Sequence, residues 1–153
     1  MSISLTKKQL NDGVLIEALK ELGREKFAVK TAWNISRILR QIDKVLINTR
    51  KDFEKATEAF YLKDAEGNKT PIMSEEVKDD KGVVTSPSVA MPNQFVFVEG
   101  KDPKDVEVLF KEMLEQDATI ESNKIRLQEL GTTKLSAHTV MALEPVLSTL
   151  ELA

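Results

Sequence analysis

The feature that most constrains this chain is a helical stripe running through residues 28–60. Ala28, Ala32, Ile35, Leu39, Ile42, Leu46, Thr49, Phe53, Ala56 and Phe60 follow one another at alternating spacings of four and three. That is a heptad seam with a mean period of 3.5, and no Gly or Pro interrupts it. At about 1.5 Å per residue it predicts one helix of roughly 50 Å. Ile38 and Val45 widen the apolar face in the first half. Beyond Val45 the stripe narrows, so the distal half is expected either to stand clear of the core or to meet a partner helix. A helix this long in a 153-residue chain is a scaffold element and favours assembly or recognition over chemistry.

The segments around it predict an α+β chain. Ile3 and Leu5 alternate with serines as a short strand, and Thr6 to Gln9 reads as a capping box with Leu5 and Leu10 as its hydrophobic staple. The helix that follows should run to Leu22, bury Leu10, Val14, Ala18 and Leu22 flanked by Leu15 and Leu19, and stop at Gly23. Gly13 costs about 1 kcal/mol within it and suggests a close helix–helix approach. The short connection to the long helix predicts an antiparallel helical hairpin.

Residues 63–94 are polar and carry Pro71, Pro87 and Pro92, which suits an irregular or mobile insertion. Asp79-Asp-Lys-Gly82 between Val77 and Val83 is a hairpin turn signal. A strand is expected at residues 94–98, and a helix capped by Asp102 with Pro103 in its first turn. Val106, Leu109, Phe110, Met113 and Leu114 would bury. A strand follows over residues 119–127, with Ile125 and Leu127 on one face. A last short helix is capped by Ser136, stapled by Leu135 and Val140, and ended by Pro145 near Leu143. The expected architecture is a single domain over 1–153: a helical hairpin with one long helix, a small β-sheet and two shorter helices.

Composition narrows the function. The chain has no Cys and one His, so thiolate chemistry and multi-histidine metal sites are excluded. The six glycines are scattered, with no phosphate-binding run. Asp64, Glu66, Asn68 and Glu75 resemble a calcium loop, but Lys69 stands where the required glycine belongs. His138 has no acid in the sequence placed to orient it. The Asn34-Ile-Ser and Asn68-Lys-Thr sequons read as chance, because Met1 opens onto no secretory signal. No run approaches the ~20 apolar residues of a membrane span. The expectation is a soluble non-enzyme with no catalytic residue, cofactor or metal.

Charge is the remaining signal. Lys30, Arg37, Lys44 and Lys51 recur every seven residues opposite the seam, with Arg40 beside them. Residues 20–55 hold ten Lys/Arg and five Asp/Glu, a local +5 in a chain of net charge −3, so the remainder carries −8. The stripe is either a solvated helix face or a docking line for an acidic partner or a phosphate backbone. A nucleic-acid module would interleave aromatics and carry a basic total, so nucleic acid is disfavoured. Trp33 either covers the first helix or is an exposed anchor for a partner. The candidate partner-binding set is Lys30, Trp33, Arg37, Arg40, Lys44 and Lys51.

Several of these pieces occur together elsewhere. Ile3-Ser-Leu-Thr6, Ala32-Trp33, Phe60-Tyr61 with Lys63-Asp-Ala-Glu-Gly-Asn68, the helix-then-strand unit from Val106 to Leu127, and Leu143-Glu-Pro145 give a pattern that resembles small proteins of unassigned function encoded by tailed bacteriophages and prophages. The stretch 70–93 is longer than is usual for that group. The resemblance implies a phage origin and a non-enzymatic structural or accessory role. It also implies a protein partner, either another phage protein or a second copy, and a location in the host cytoplasm or the virion. The alternative is a small intracellular effector that binds a host protein or nucleic acid through the basic helix face.

Overall fold

The computed structural model describes residues 1–148. It is an α+β structure with one long helix, several shorter helices and two-stranded sheets. The described chain divides into two compact units, residues 1–52 with 110–148 and residues 53–109.

The first unit opens with β1 (Ile3–Thr6), paired antiparallel to β6 (Asp117–Ile120). Ile3 lies opposite Ile120 and Leu5 opposite Ala118, so four apolar side chains share the inner face. Thr6 caps α1 (Lys7–Asn11) with the reciprocal bonds expected: Gln9 N–H donates to Thr6 Oγ1 at 3.2 Å, and Thr6 N–H to Gln9 Oε1 at 2.8 Å.

The expected single helix to Leu22 is in fact two. Gly13 takes φ +76°, a left-handed conformation that ends α1 and starts α2 (Val14–Gly23). A Cβ at Gly13 would meet nothing within 4 Å. Backbone geometry, not close helix packing, is therefore what requires glycine. The break turns Val14 outward, leaving it 48% exposed, while Leu15, Ala18, Leu19 and Leu22 are buried.

The long helix is α3 (Val29–Thr57), closed by a 3-10 turn at Glu58–Phe60. Its buried line differs in phase from the expected seam. Ala28, Ala32 and Ala56 are exposed, and Leu39 and Leu46 only half-buried. The buried line is Thr31, Ile35, Ile38, Ile42, the half-buried Val45, and Thr49, again at alternating spacings of four and three. Ile38 and Val45, expected as flanks, are the centre. Thr49 Oγ1 donates to the Val45 carbonyl at 2.8 Å, which lets a hydroxyl sit on an apolar line.

The strand expected over residues 119–127 is likewise divided. β6 ends at Ile120, a turn follows, and β7 (Ile125–Arg126) pairs in parallel with β8 (Leu147–Ser148). Leu127 opens a 3-10 turn and is 43% exposed, so it does not share the face of Ile125. Ser136 caps α5 (Ala137–Leu143), its Oγ accepting from Thr139 N–H at 3.1 Å. Pro145 then stands in a 3-10 turn, although Val140, expected as a staple, is 40% exposed. One aliphatic core joins β1, α2, α3, β6, β7 and α5 through residues that include Ile3, Leu19, Ile38, Ile120, Ile125 and Leu143.

The second unit is built differently. Antiparallel ladders join β2 (Pro71–Met73) to β5 (Ala90–Phe95) and β3 (Val77–Lys78) to β4 (Val84–Ser86). The strand expected at 94–98 thus starts earlier, and Phe97 forms only a bridge to Tyr61. The turn at residues 79–82 forms as expected: Asp79 Oδ1 accepts from Lys81 and Val83 N–H, both at 2.9 Å. Asp64 closes its turn in the same way, accepting from Glu66 and Asn68 N–H. Tyr61, Phe95 and Phe97 pack edge-on or tilted, with Lys69 Nζ 4.4 Å from the Tyr61 ring centre. Glu58 accepts from Lys63 Nζ at 2.5 Å, and that hydrogen bond together with the lysine's charge holds its carboxyl below the usual range. Among residues 53–109, no apolar side chain is fully buried. Asp102 caps α4 (Pro103–Leu114) through Lys104 N–H at 2.7 Å. Of the face expected to bury on α4, Met113 alone is fully buried, and Phe110 is 36% exposed.

The phase of α3 has a direct consequence. Ile38→Ala removes a fully buried side chain and should cost about 2–5 kcal/mol in urea unfolding. Leu39→Ala, at a half-buried position, should cost roughly half as much or less. The reverse order would return the seam to Leu39 and Leu46.

Candidate functional site

The site is assembled in the first unit, where the N-terminal half of α3 meets the turn between β6 and β7. Two amides hold the elements together. Gln41 Nε2 donates to the Glu121 carbonyl at 2.9 Å, and its Oε1 accepts from Glu121 N–H at 2.7 Å. One side chain thereby satisfies both backbone groups of one residue. Two helical turns earlier, Asn34 Nδ2 donates to the Asn123 carbonyl at 3.0 Å, and its Oδ1 accepts from the Ser122 hydroxyl at 2.6 Å. Ser122 is 5% exposed, so this pairing stabilises a buried hydroxyl.

Beside this clamp lies an open groove of about 620 Å³, lined by Lys30, Trp33, Asn34 and Arg37 of α3, by Ser122, Asn123, Lys124, Arg126 and Glu129, and by Met1, Ser2 and Ser148. Four cations face one carboxylate. Glu129 is half-buried and accepts from Arg126 N–H at 3.0 Å. Lys30, Arg37 and Lys124 have no ion pair among the described residues. Trp33 is 60% exposed. The Arg40 guanidinium lies 5.5 Å from the Trp33 ring centre and donates to Ser36 Oγ at 3.2 Å, which restrains the indole on one side. Trp33, Arg37, Arg40 and Gln41 line a smaller adjoining hollow.

Of the residues singled out from the sequence, the structure therefore gathers Lys30, Trp33 and Arg37 at the groove and Arg40 next to it. Lys44 and Lys51 are exposed farther along α3 and line neither hollow. Trp33, expected either to cover the first helix or to stand exposed, is largely exposed at the groove. Lys124 and Arg126 were missed. Their signal was present: Lys124 precedes and Arg126 follows the buried Ile125 at the start of a two-residue strand, and both are exposed. In the sequence Asn34 stands out only as part of a sequon, yet its amide is engaged on both sides.

A second, shallow cleft of about 530 Å³ lies between α2 and α5, lined in part by Asp12, Glu17, Glu21 and the exposed His138. Glu21 accepts from Thr139 Oγ1 at 3.0 Å, and Glu17 pairs with Lys20 at 3.3 Å, so two of its three acids are engaged locally. Among the described residues, no three His, Cys, Asp or Glu side chains gather to hold a metal, and no helix is long and apolar enough to cross a membrane. The groove offers charge-assisted donors and one aromatic face, which is the chemistry of anion recognition. Compared with protein-family models, curated proteins and solved structures, the chain matches none.

The clamp is testable by itself. Asn34→Ala leaves the Ser122 hydroxyl without its short acceptor and should cost about 1–3 kcal/mol in thermal or urea unfolding. Lys44→Ala and Lys51→Ala should stay within about 0.5 kcal/mol of the parent. Equal effects of all three would dismiss the clamp as a stabilising element.

Proposed function

We propose that this chain is a non-enzymatic bacteriophage structural or accessory protein that works by protein–protein interaction, in the virion or in its assembly. The observation that carries the reading is the groove, which an exposed Trp33 lines together with Lys30, Arg37, Lys124 and Arg126. Exposed Trp and Arg are the residue types that dominate binding energy at protein interfaces. An acidic protein segment with an apolar side chain to lay on the indole fits this lining. The partner is another phage protein or a second copy. The setting is the host cytoplasm or the virion. The antiparallel pairing of α2 with α3 as a helical hairpin belongs to the same proposal, supported by the short 24–28 connection and the core they share.

One observation favours a second reading, an intracellular effector that binds a host protein or nucleic acid. Lys44 and Lys51 extend the basic line beyond the groove, as a phosphate backbone would require. Against it stand the net charge of −3 and screening within about 8 Å at physiological salt. Mass spectrometry of purified virions and assembly intermediates separates the two. The protein should be present, and the double variant R37E/K124E should lower its incorporation about tenfold or more, which corresponds to ~1.4 kcal/mol of binding. Absence from every particle, together with sub-micromolar nucleic-acid binding at about 150 mM salt, would establish the effector reading instead.

A further inference from the structure

The second unit has a segment complementary to the groove of the first. Residues 74–86 comprise the β3–β4 hairpin (Val77–Ser86) and the three residues that lead into it from β2. They hold four carboxylates (Glu75, Glu76, Asp79, Asp80) and two lysines (Lys78, Lys81), a net charge of −2. Asp79 is committed to the turn and Glu76 pairs with Lys78 at 3.6 Å. Glu75 and Asp80 have no side-chain partner among the described residues. The hairpin also exposes Val77, Val83 and Val84, at 52%, 58% and 42%. A two-stranded ladder with no buried apolar side chain is marginal alone and gains most from a surface to pack on. Its outer backbone edges add unpaired donors and acceptors.

We propose that the hairpin of one copy docks in the basic groove around Trp33 of a second copy. This deepens the reading of the groove as a protein-docking site and rests on it. Glu75 and Asp80 meet Arg37 and Lys124, while a valine covers the exposed indole. The patches that meet are different, so the contact is heterologous. Repeated head to tail, it closes into a ring or extends as a filament.

Trp33 is the only tryptophan in the chain, so its emission reports on the groove alone. Sedimentation of the full chain at about 150 mM salt should show concentration-dependent association, with Trp33 emission shifting to the blue in step. The hairpin variant E75K/D80K and the groove variant R37E/K124E should each associate at least tenfold more weakly, while circular dichroism and Tm stay like the parent. Mixed in equal amounts, the two variants should associate again, because each reversed patch finds its complement on the other. A parent chain that stays monomeric at every concentration overturns the proposal, as does a concentration-independent blue shift, which would place the occupant within one chain. Unchanged association of either variant, or no recovery on mixing, overturns it too. Poly-glutamate separates this failure from failure of the underlying reading. If the parent is monomeric but poly-glutamate shifts Trp33 emission and R37E/K124E abolishes the shift, the groove still binds acidic protein and only self-docking is lost. If poly-glutamate has no effect, both are lost.

Discussion

The first unit depends on how the N-terminal half of α3 is fixed against the β6–β7 segment. Three isoleucines at positions 35, 38 and 42 enter one core with Ile3, Ile120 and Ile125. At the edge of that apolar line, Asn34 and Gln41 fasten the helix to the backbone of residues 121–123. Isoleucines alone would tolerate a small rotation of the helix, because burial is not directional. Hydrogen bonds at 2.6–3.0 Å do not. The amides therefore set the rotational phase of α3, and that phase brings Lys30, Trp33 and Arg37 to the groove shared with Lys124 and Arg126. Side chains on a helix locked in this way have less freedom to lose on any further contact.

The two units are stabilised by different physics. The first has an aliphatic core and exposes its cations. The second relies on short ladders, Asx-type turns and lysines laid over aromatic rings, with Lys69 over Tyr61 and Lys101 Nζ 4.5 Å from the Phe60 ring centre. Such contacts give modest stability and leave Ile72, Met73, Val77, Val83 and Val89 at the surface. The proposed contact gives residues 74–86 a role that their own packing does not.

Local chemistry in the sequence was readable wherever the determinants lie within a few residues. The Thr6–Gln9 capping box, the caps at Asp102 and Ser136, and the Asp79–Gly82 turn each follow from side chains bonding to their own backbone neighbours. The phase of α3 was not readable in this way. Apolar residues stand at both 38 and 39 and at both 45 and 46, so two heptad lines fit the same sequence, and contact with β6 and β7 decides between them. Gly13 was ambiguous for a similar reason: a glycine inside an amphipathic run is compatible with a weak point or with a break, and only its φ distinguishes them. Half of the groove's charge was hidden because Lys124 and Arg126 are some ninety residues from Lys30, Trp33 and Arg37 in sequence, and a helical charge pattern cannot see across that distance. The Asn34 and Gln41 clamp was hidden too, since the backbone groups it satisfies belong to a turn that the sequence presented as continuous strand.

The central claim is that Gln41 and Asn34 lock the helix to the 121–123 turn, and one amide proton tests it most directly. Glu121 N–H donates to Gln41 Oε1 at 2.7 Å although Glu121 itself is exposed. Native-state hydrogen exchange should find that proton strongly protected, opening only together with the core of the first unit. In Gln41→Ala the protection should vanish at Glu121 while the Ile38 and Ile42 amides keep theirs. Exchange of Glu121 N–H at the rate of an unstructured loop in the parent chain would contradict the account, because the groove would then have no fixed wall.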